Sequence, residues 1–214
     1  MTKAVTAAEP DQATSDEELV TRIRDGERDL FGPLVKRYER ELFGYLRRYL
    51  GDQALAEDVF QNTFLKLFEK LDQYEKGRPF RPWLYTMATN LAIDAQRRAG
   101  RRPTVSIDQA RMHDDQGQPH PLTELLEQGS DGADPFANLA EKERQNLVRE
   151  GLETLPEHLK TAVLLAYYQG LKYREIAEIM EIPVGTVKSR LHLALARLHD
   201  HWRKSSALAD SPVS

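Results

Sequence analysis

The chain has 214 residues, 40% of them hydrophobic and 30% charged, with a formal net charge of −4 and no cysteine. That composition excludes disulfides, thiolate zinc sites and thiol redox switches. No apolar run approaches the roughly 20 residues that span a bilayer, and the N-terminal MTKAVTAAEPDQATSDEE lacks a signal-peptide core, so a cytoplasmic protein without membrane insertion is expected.

The overall charge hides segregation. Residues 1–20 carry 1 basic and 5 acidic groups (−4), 21–105 carry 17 and 12 (+5), 106–150 carry 4 and 10 (−6), and 151–214 carry 8 and 7 (+1). A polyanion-binding surface needs local rather than global positive charge, so the first half can meet nucleic acid.

A first helix is predicted from Ser15, where Ser15 and Glu18 match an S-x-x-E capping box, to Gly26. A longer one follows with Leu30, Leu34, Tyr38, Leu42, Tyr45 and Tyr49 in register, ending at Gly51 and Asp52. Pro33 in its early part predicts a kink or a later start. A third helix spans about Ala54 to Leu71. The segment DQYEKGRPF breaks the pattern, and a fourth helix opens near Pro82 and ends before Gly100 and Pro103.

From 103 to 133 the composition turns to Gly, Pro, Gln, Asp and His, with at most a turn at Leu122 to Leu126. It reads as an acidic flexible linker. Asp134 and Pro135 look like an N-cap and first helical residue of a second domain reaching Lys204. Residues 1–14 and 205–214 are expected to be disordered. The fold class is therefore all-α, with two small helical domains, 15–102 and 134–204.

Within the second, Tyr173 to Leu198 reads as a helix-turn-helix. Tyr173, Ile176, Ala177 and Met180 share one helical face, and Val184, Val187, Leu191, Ala194, Leu195 and Leu198 share another. Glu181, Ile182 and Pro183 form the turn. The outward side of the second helix holds Gly185, Thr186, Lys188, Ser189 and His192. Lys188 and the helix N-terminus suit phosphate, and the hydroxyl and imidazole groups suit base edges. A helical hairpin with a solvated polar face has the same pattern.

Three segments in register, AEDVFQNTFLKLF, F-x-x-WLYTMATNLAIDAQRR and LPEHLKTAVLLAYYQGLKYREIAEIMEIPVGTVKSRL, resemble the extracytoplasmic-function (ECF) sigma factors of the sigma-70 superfamily over about residues 15 to 204. The resemblance implies three partners. They are core RNA polymerase, through the β′ clamp helices and the β flap, promoter DNA, and an anti-sigma factor. It assigns polymerase docking to Asp58, Gln61, Asn62, Phe64 and Phe68, although aromatics at helical spacing are mostly buried and Phe64 and Phe68 could simply be core. Asn62 departs from the acidic residue often found there.

By the same resemblance, the loop from Asp72 to Phe80 reads the minus-ten element and captures a flipped base. Tyr74 and Phe80 offer π faces, and Lys76, Arg78 and Arg81 hold the single strand. Asn90, Asp94, Arg97 and Arg98 meet the upstream edge of the melted region, although Asp94 could instead pair with Arg97 or Arg98. Trp83 suits core packing better than stacking on DNA. The helix from Val184, with Gly185, Thr186, Lys188, Ser189 and His192, is assigned to the minus-thirty-five element. Leu193 and Leu195 stand where the family frequently has basic residues, so fewer phosphate contacts are expected. No cofactor, metal or catalytic residue is implied. The competing reading is a stand-alone helix-turn-helix repressor or activator that binds an operator without polymerase. An enzyme is disfavoured by the absence of any catalytic motif in the sequence.

Overall fold

The computed structural model describes residues 14–100 and 137–209, with side chains over 14–100 and 146–204. Among these residues every regular element is helical. The linker 103–133, the Asp134–Pro135 helix start, the Leu122 to Leu126 turn and most of the terminal segments lie outside the described residues. The chain divides into two compact units on either side of the Gly100–Arg101 bond.

The first unit contains α1 (Asp16–Arg24), α2 (Phe31–Leu50), α3 (Gln53–Glu69) and α4 (Phe80–Arg98), with single 3-10 turns at Arg28–Leu30 and Leu71–Gln73. Ser15 caps α1 by accepting from the Glu18 N–H at 3.2 Å. Pro33 does not interrupt α2. It lies in the first turn, where the N–H it lacks would have no helical partner. Gly51 ends α2 at φ 70°, and its N–H bonds to the Arg47 carbonyl at 2.9 Å. Asp52 then caps α3 by accepting from the Leu55 N–H at 3.0 Å. Two residues thus turn one helix into the next, which lays α3 back along α2.

Leu34, Tyr38, Leu42, Tyr45 and Tyr49 are buried along α2. The Tyr45 and Thr89 hydroxyls share a buried hydrogen bond of 2.8 Å, which ties α2 to α4. Burial raises the Tyr45 hydroxyl well above its usual range, so it stays neutral.

The second unit contains α5 (Ala137–Thr154), α6 (Glu157–Val163) running into a π turn at Leu164–Tyr168, α7 (Tyr173–Met180) and α8 (Val184–Ala209). Its core is Leu152, Leu159, Val163, Leu164, Leu165, Ile176, Ile179, Val187, Leu191 and Leu198. Gly151 on α5 lets α8 come close, since a Cβ there would stand 3.0 Å from the Trp202 indole nitrogen. That indole N–H donates to the Leu147 carbonyl at 3.0 Å. Because α8 continues to Ala209, the tail expected to be disordered from 205 is helical over 205–209.

Two expectations for the α7 to α8 segment change. Tyr173 is 42% exposed and Ile179 takes the buried place, because an eight-residue helix lying on α8 buries its middle and leaves its first residue at the rim. Val184, expected on the apolar face of the second helix, is 36% exposed at its start. The turn ends at Pro183, the residue before α8. Its carbonyl accepts from the Thr186 and Val187 N–H groups at 2.9 and 3.2 Å.

Candidate polymerase and nucleic-acid interfaces

The outer face of α3 repeats at helical spacing, with Asp58, Gln61, Asn62, Leu65 and Phe68 all exposed. Leu65 is 62% and Phe68 39% exposed, unusual values for such side chains on an ordered helix. Beside them Phe31 and Val35 of α2 join Phe60, Gln61, Phe64, Leu65 and Phe68 of α3 around a shallow apolar groove of about 440 Å³. Its floor is an aromatic chain. Phe31 meets Phe68 and Phe64 edge-on at 5.1 and 6.3 Å, and Phe64 meets Phe60 at 5.0 Å. The Arg28 guanidinium lies over the Phe68 ring at 5.6 Å.

Phe64 is only 5% exposed, so it supports the groove rather than projecting from it. Asn62 donates its side-chain amide to the Asp58 carbonyl at 2.8 Å, which leaves its oxygen for a partner. Phe31, Val35 and Phe60 were missed by the sequence reading. Their signal was present, since Phe31 and Val35 at i, i+4 make a second apolar stripe on α2 beside the Leu34 to Tyr38 stripe.

The loop from Asp72 to Phe80 requires three corrections. Tyr74 is 2% and Phe80 0% exposed, so neither offers a π face to a base. Both rings turn inward, where Phe80 meets Tyr38 at 5.5 Å and Trp83 at 6.2 Å, and Tyr74 meets Trp83 at 5.1 Å. Burial and the nearby Glu17 carboxylate push the Tyr74 hydroxyl up to about 12, and it donates to the Arg78 carbonyl. Arg81 is paired rather than free. Its Nε and Nη2 both donate to Glu41 Oε1, at 3.1 and 2.5 Å. Lys76 and Arg78 remain exposed at the tip, around Gly77 at φ +93°.

Asn90, Asp94, Arg97 and Arg98 lie on one exposed face of α4. Among the described residues Asp94 makes no ion pair with either arginine. The carboxylate, the amide and the two guanidinium groups all face water. They can accept from or donate to bases and hold phosphate.

On α8, Lys188 and His192 are exposed and Gly185, Thr186 and Ser189 partly so, along one side of the helix. The Ser189 hydroxyl donates to the Thr186 carbonyl at 3.0 Å, so towards a base it acts as an acceptor. Leu195 is 6% exposed and belongs to the core, so a phosphate contact was never open to it. Leu193 is partly exposed on the outer side. Among the described residues no group of three metal-binding side chains comes together, and no helix is long and apolar enough to cross a membrane.

A helix-turn-helix in one unit, with an exposed aromatic groove and a basic loop in the other, fits a transcription factor. Residues 34–102 match Sigma-70 region 2, and residues 145–198 match Sigma-70, region 4. The ECF RNA polymerase sigma factor SigW of Bacillus subtilis (strain 168) is 32% identical over 184 residues, covering 86% of this chain and 95% of its own. The ECF RNA polymerase sigma-E factor of Haemophilus influenzae is 34% identical over 190 residues, covering 84% and 91%. The chain belongs to the ECF sigma factors of the sigma-70 family.

Solved structures share the fold. CnrH in complex with the cytosolic domain of CnrY matches with a TM-score of 0.61 at 22% identity, over 92% of this chain and 99% of that one. The sigma factor RpoE in complex with the anti-sigma factor NepR from Bartonella quintana gives 0.53 at 23% identity, over 84% and 98%.

Proposed function

We propose that this chain, as a sigma factor, binds core RNA polymerase through the α2–α3 groove, residues 15–102 also reading the minus-ten element and residues 134–204 the minus-thirty-five element. The observation that carries the docking assignment is the exposure of Leu65 and Phe68 over an aromatic floor, rimmed by Asp58, Gln61 and Asn62. Burying each apolar side chain against a partner is worth about 1.5–3 kcal/mol, and the polar rim fixes orientation. The β′ clamp helices are the expected occupant.

The minus-ten strand meets Lys76 and Arg78 at the loop tip, and Asn90, Asp94, Arg97 and Arg98 on α4. With Tyr74 and Phe80 packed inside, a flipped base stacks on the Arg78 guanidinium plane or lodges against loop backbone. The protein itself makes and breaks no covalent bond. It acts in the cytoplasm, and an anti-sigma factor is its regulatory partner, a reading supported by the NepR-bound neighbour. Sequencing the transcripts that core polymerase makes on a genomic fragment library tests this reading. Specific start sites that require both components support it. An operator footprint made by the chain alone would favour the repressor reading.

A further inference from the structure

Helix α1 holds the Asp72 to Phe80 loop at both ends. At one end the Arg24 Nη1 donates to the Tyr74 carbonyl at 3.2 Å, while its Nε and Nη2 rest on the neighbouring Asp25 carboxylate, each at 3.2 Å. At the other, the Phe80 N–H donates to the Glu17 Oε1 at 3.0 Å.

That N–H is the first of α4, one of the four that a helix leaves without an internal partner, and Pro79 before it supplies no side-chain cap. Glu17 therefore caps α4 from another helix, with its negative charge at the positive end of the dipole. Glu17 and Arg24 are seven residues apart, two turns of α1, so their backbones stand about 10 Å apart along one face. The six peptide steps from Tyr74 to Phe80 can reach about 20 Å when extended. Between the two anchors the chain turns back on itself, the Arg78 N–H bonding to the Glu75 carbonyl at 3.1 Å, and Lys76 and Arg78 stand exposed at the crest.

The anchoring of α1 itself is separate. Asp16 accepts from Arg37 and Tyr38, and Leu19, Val20 and Ile23 are buried. Losing the Glu17 carboxylate or the Arg24 guanidinium thus loosens the loop backbone at one anchor without undocking the helix, while the buried Tyr74 and Phe80 rings stay packed.

We infer that Glu17 and Arg24 are positioning residues for single-strand capture, fixing the loop's width before DNA arrives so that its ordering cost is not met on binding. This rests on the proposal that the loop contacts the minus-ten strand.

The test uses the full chain with core polymerase. The probe is a fluorescein-labelled nontemplate oligonucleotide from the minus-ten region of the strongest promoter found by transcript sequencing. Glu17→Ala and Arg24→Ala should each weaken single-strand binding about 2- to 10-fold, the effect of losing one hydrogen bond. Core binding should stay intact. Glu17→Gln should bind within about twofold of wild type, because an amide oxygen can accept the same N–H. Hydrogen exchange at the Phe80 amide should speed up in Glu17→Ala and return to normal in Glu17→Gln. Wild-type binding by both alanine variants overturns the inference if Lys76→Ala with Arg78→Ala weakens binding. Glu17→Gln as impaired as Glu17→Ala, or Glu17→Ala losing core binding together with strand binding, also overturns it. If the Lys76 and Arg78 variant too binds as wild type, the loop assignment itself falls.

Discussion

Glu41 Oε1 receives Arg81 from one side and, at 2.6 Å, the hydroxyl of the buried Tyr85 from the other. Both members of the ion pair are over a third exposed, so solvent screens it, whereas Tyr85 has no such relief. Glu41→Ala should therefore cost about 1–3 kcal/mol in urea unfolding, because it removes an acceptor from a buried hydroxyl. Arg81→Ala should cost less than about 1 kcal/mol. Equal costs for the two single variants would contradict this division.

The side chains proposed to dock polymerase face water, so docking should separate from folding. Asp58→Arg with Gln61→Ala, and separately Leu65→Arg, should abolish co-elution with core enzyme while shifting the melting temperature little. Phe64→Ala should fail differently. Its ring is buried, so stability should fall by about 3–5 kcal/mol together with binding.

In the minus-ten loop the basic and aromatic residues should give opposite phenotypes. Lys76→Ala with Arg78→Ala should leave thermal melting unchanged, weaken single-strand binding and lower the slope of its salt dependence by about 1–2. Phe80→Ala should destabilise the unit by about 3–5 kcal/mol, since its ring is fully buried between Tyr38 and Trp83. A stable Phe80→Ala protein with a purely DNA-binding defect would return that ring to the DNA.

On α8, Lys188→Ala should weaken promoter binding almost uniformly, while Ser189→Ala or His192→Ala should change the preferred minus-thirty-five bases in randomised-promoter selections. Leu195→Ala should lower stability by about 2–5 kcal/mol. An unaltered upstream preference in both Ser189→Ala and His192→Ala would remove this helix as the reader.

The buried tyrosines set an alkaline limit on the fold. Burial first, and then nearby carboxylates or hydroxyls, raise Tyr38, Tyr45 and Tyr85 well above the usual tyrosine range and Tyr74 to about 12. Above the ordinary value of about 10, the unfolded chain sheds protons that the folded chain keeps. Stability should be fully present below pH about 10 and fall as pH rises towards about 12. Urea midpoints across that range, with Tyr45→Phe giving a shallower decline, check the sign.

The helices and much of the core were legible because they are periodic. Leu34, Tyr38, Leu42, Tyr45 and Tyr49 declare one face of α2, and Ser15 with Glu18 declares the start of α1. What spacing within a segment does not encode is which way a loop aromatic turns. The inward packing of Tyr74 and Phe80 depends on Tyr38, dozens of residues upstream, and the engagement of Arg81 depends on Glu41 on another helix. The docking groove fell between these cases. Its α3 half was read from Asp58 to Phe68, while Phe31 and Val35 became visible as lining only once α2 and α3 were laid side by side.

The placement of the chain's two tryptophans gives each unit its own optical reporter. Trp83 is packed against Tyr74 and Phe80 in the first, and Trp202 is bonded to Leu147 and crowded by Gly151 in the second. Trp83→Phe leaves emission from the second unit alone, and Trp202→Phe leaves it from the first. Denaturation of the intact chain can then be followed one half at a time, so that concerted and stepwise unfolding are told apart without cutting the polypeptide or attaching a dye.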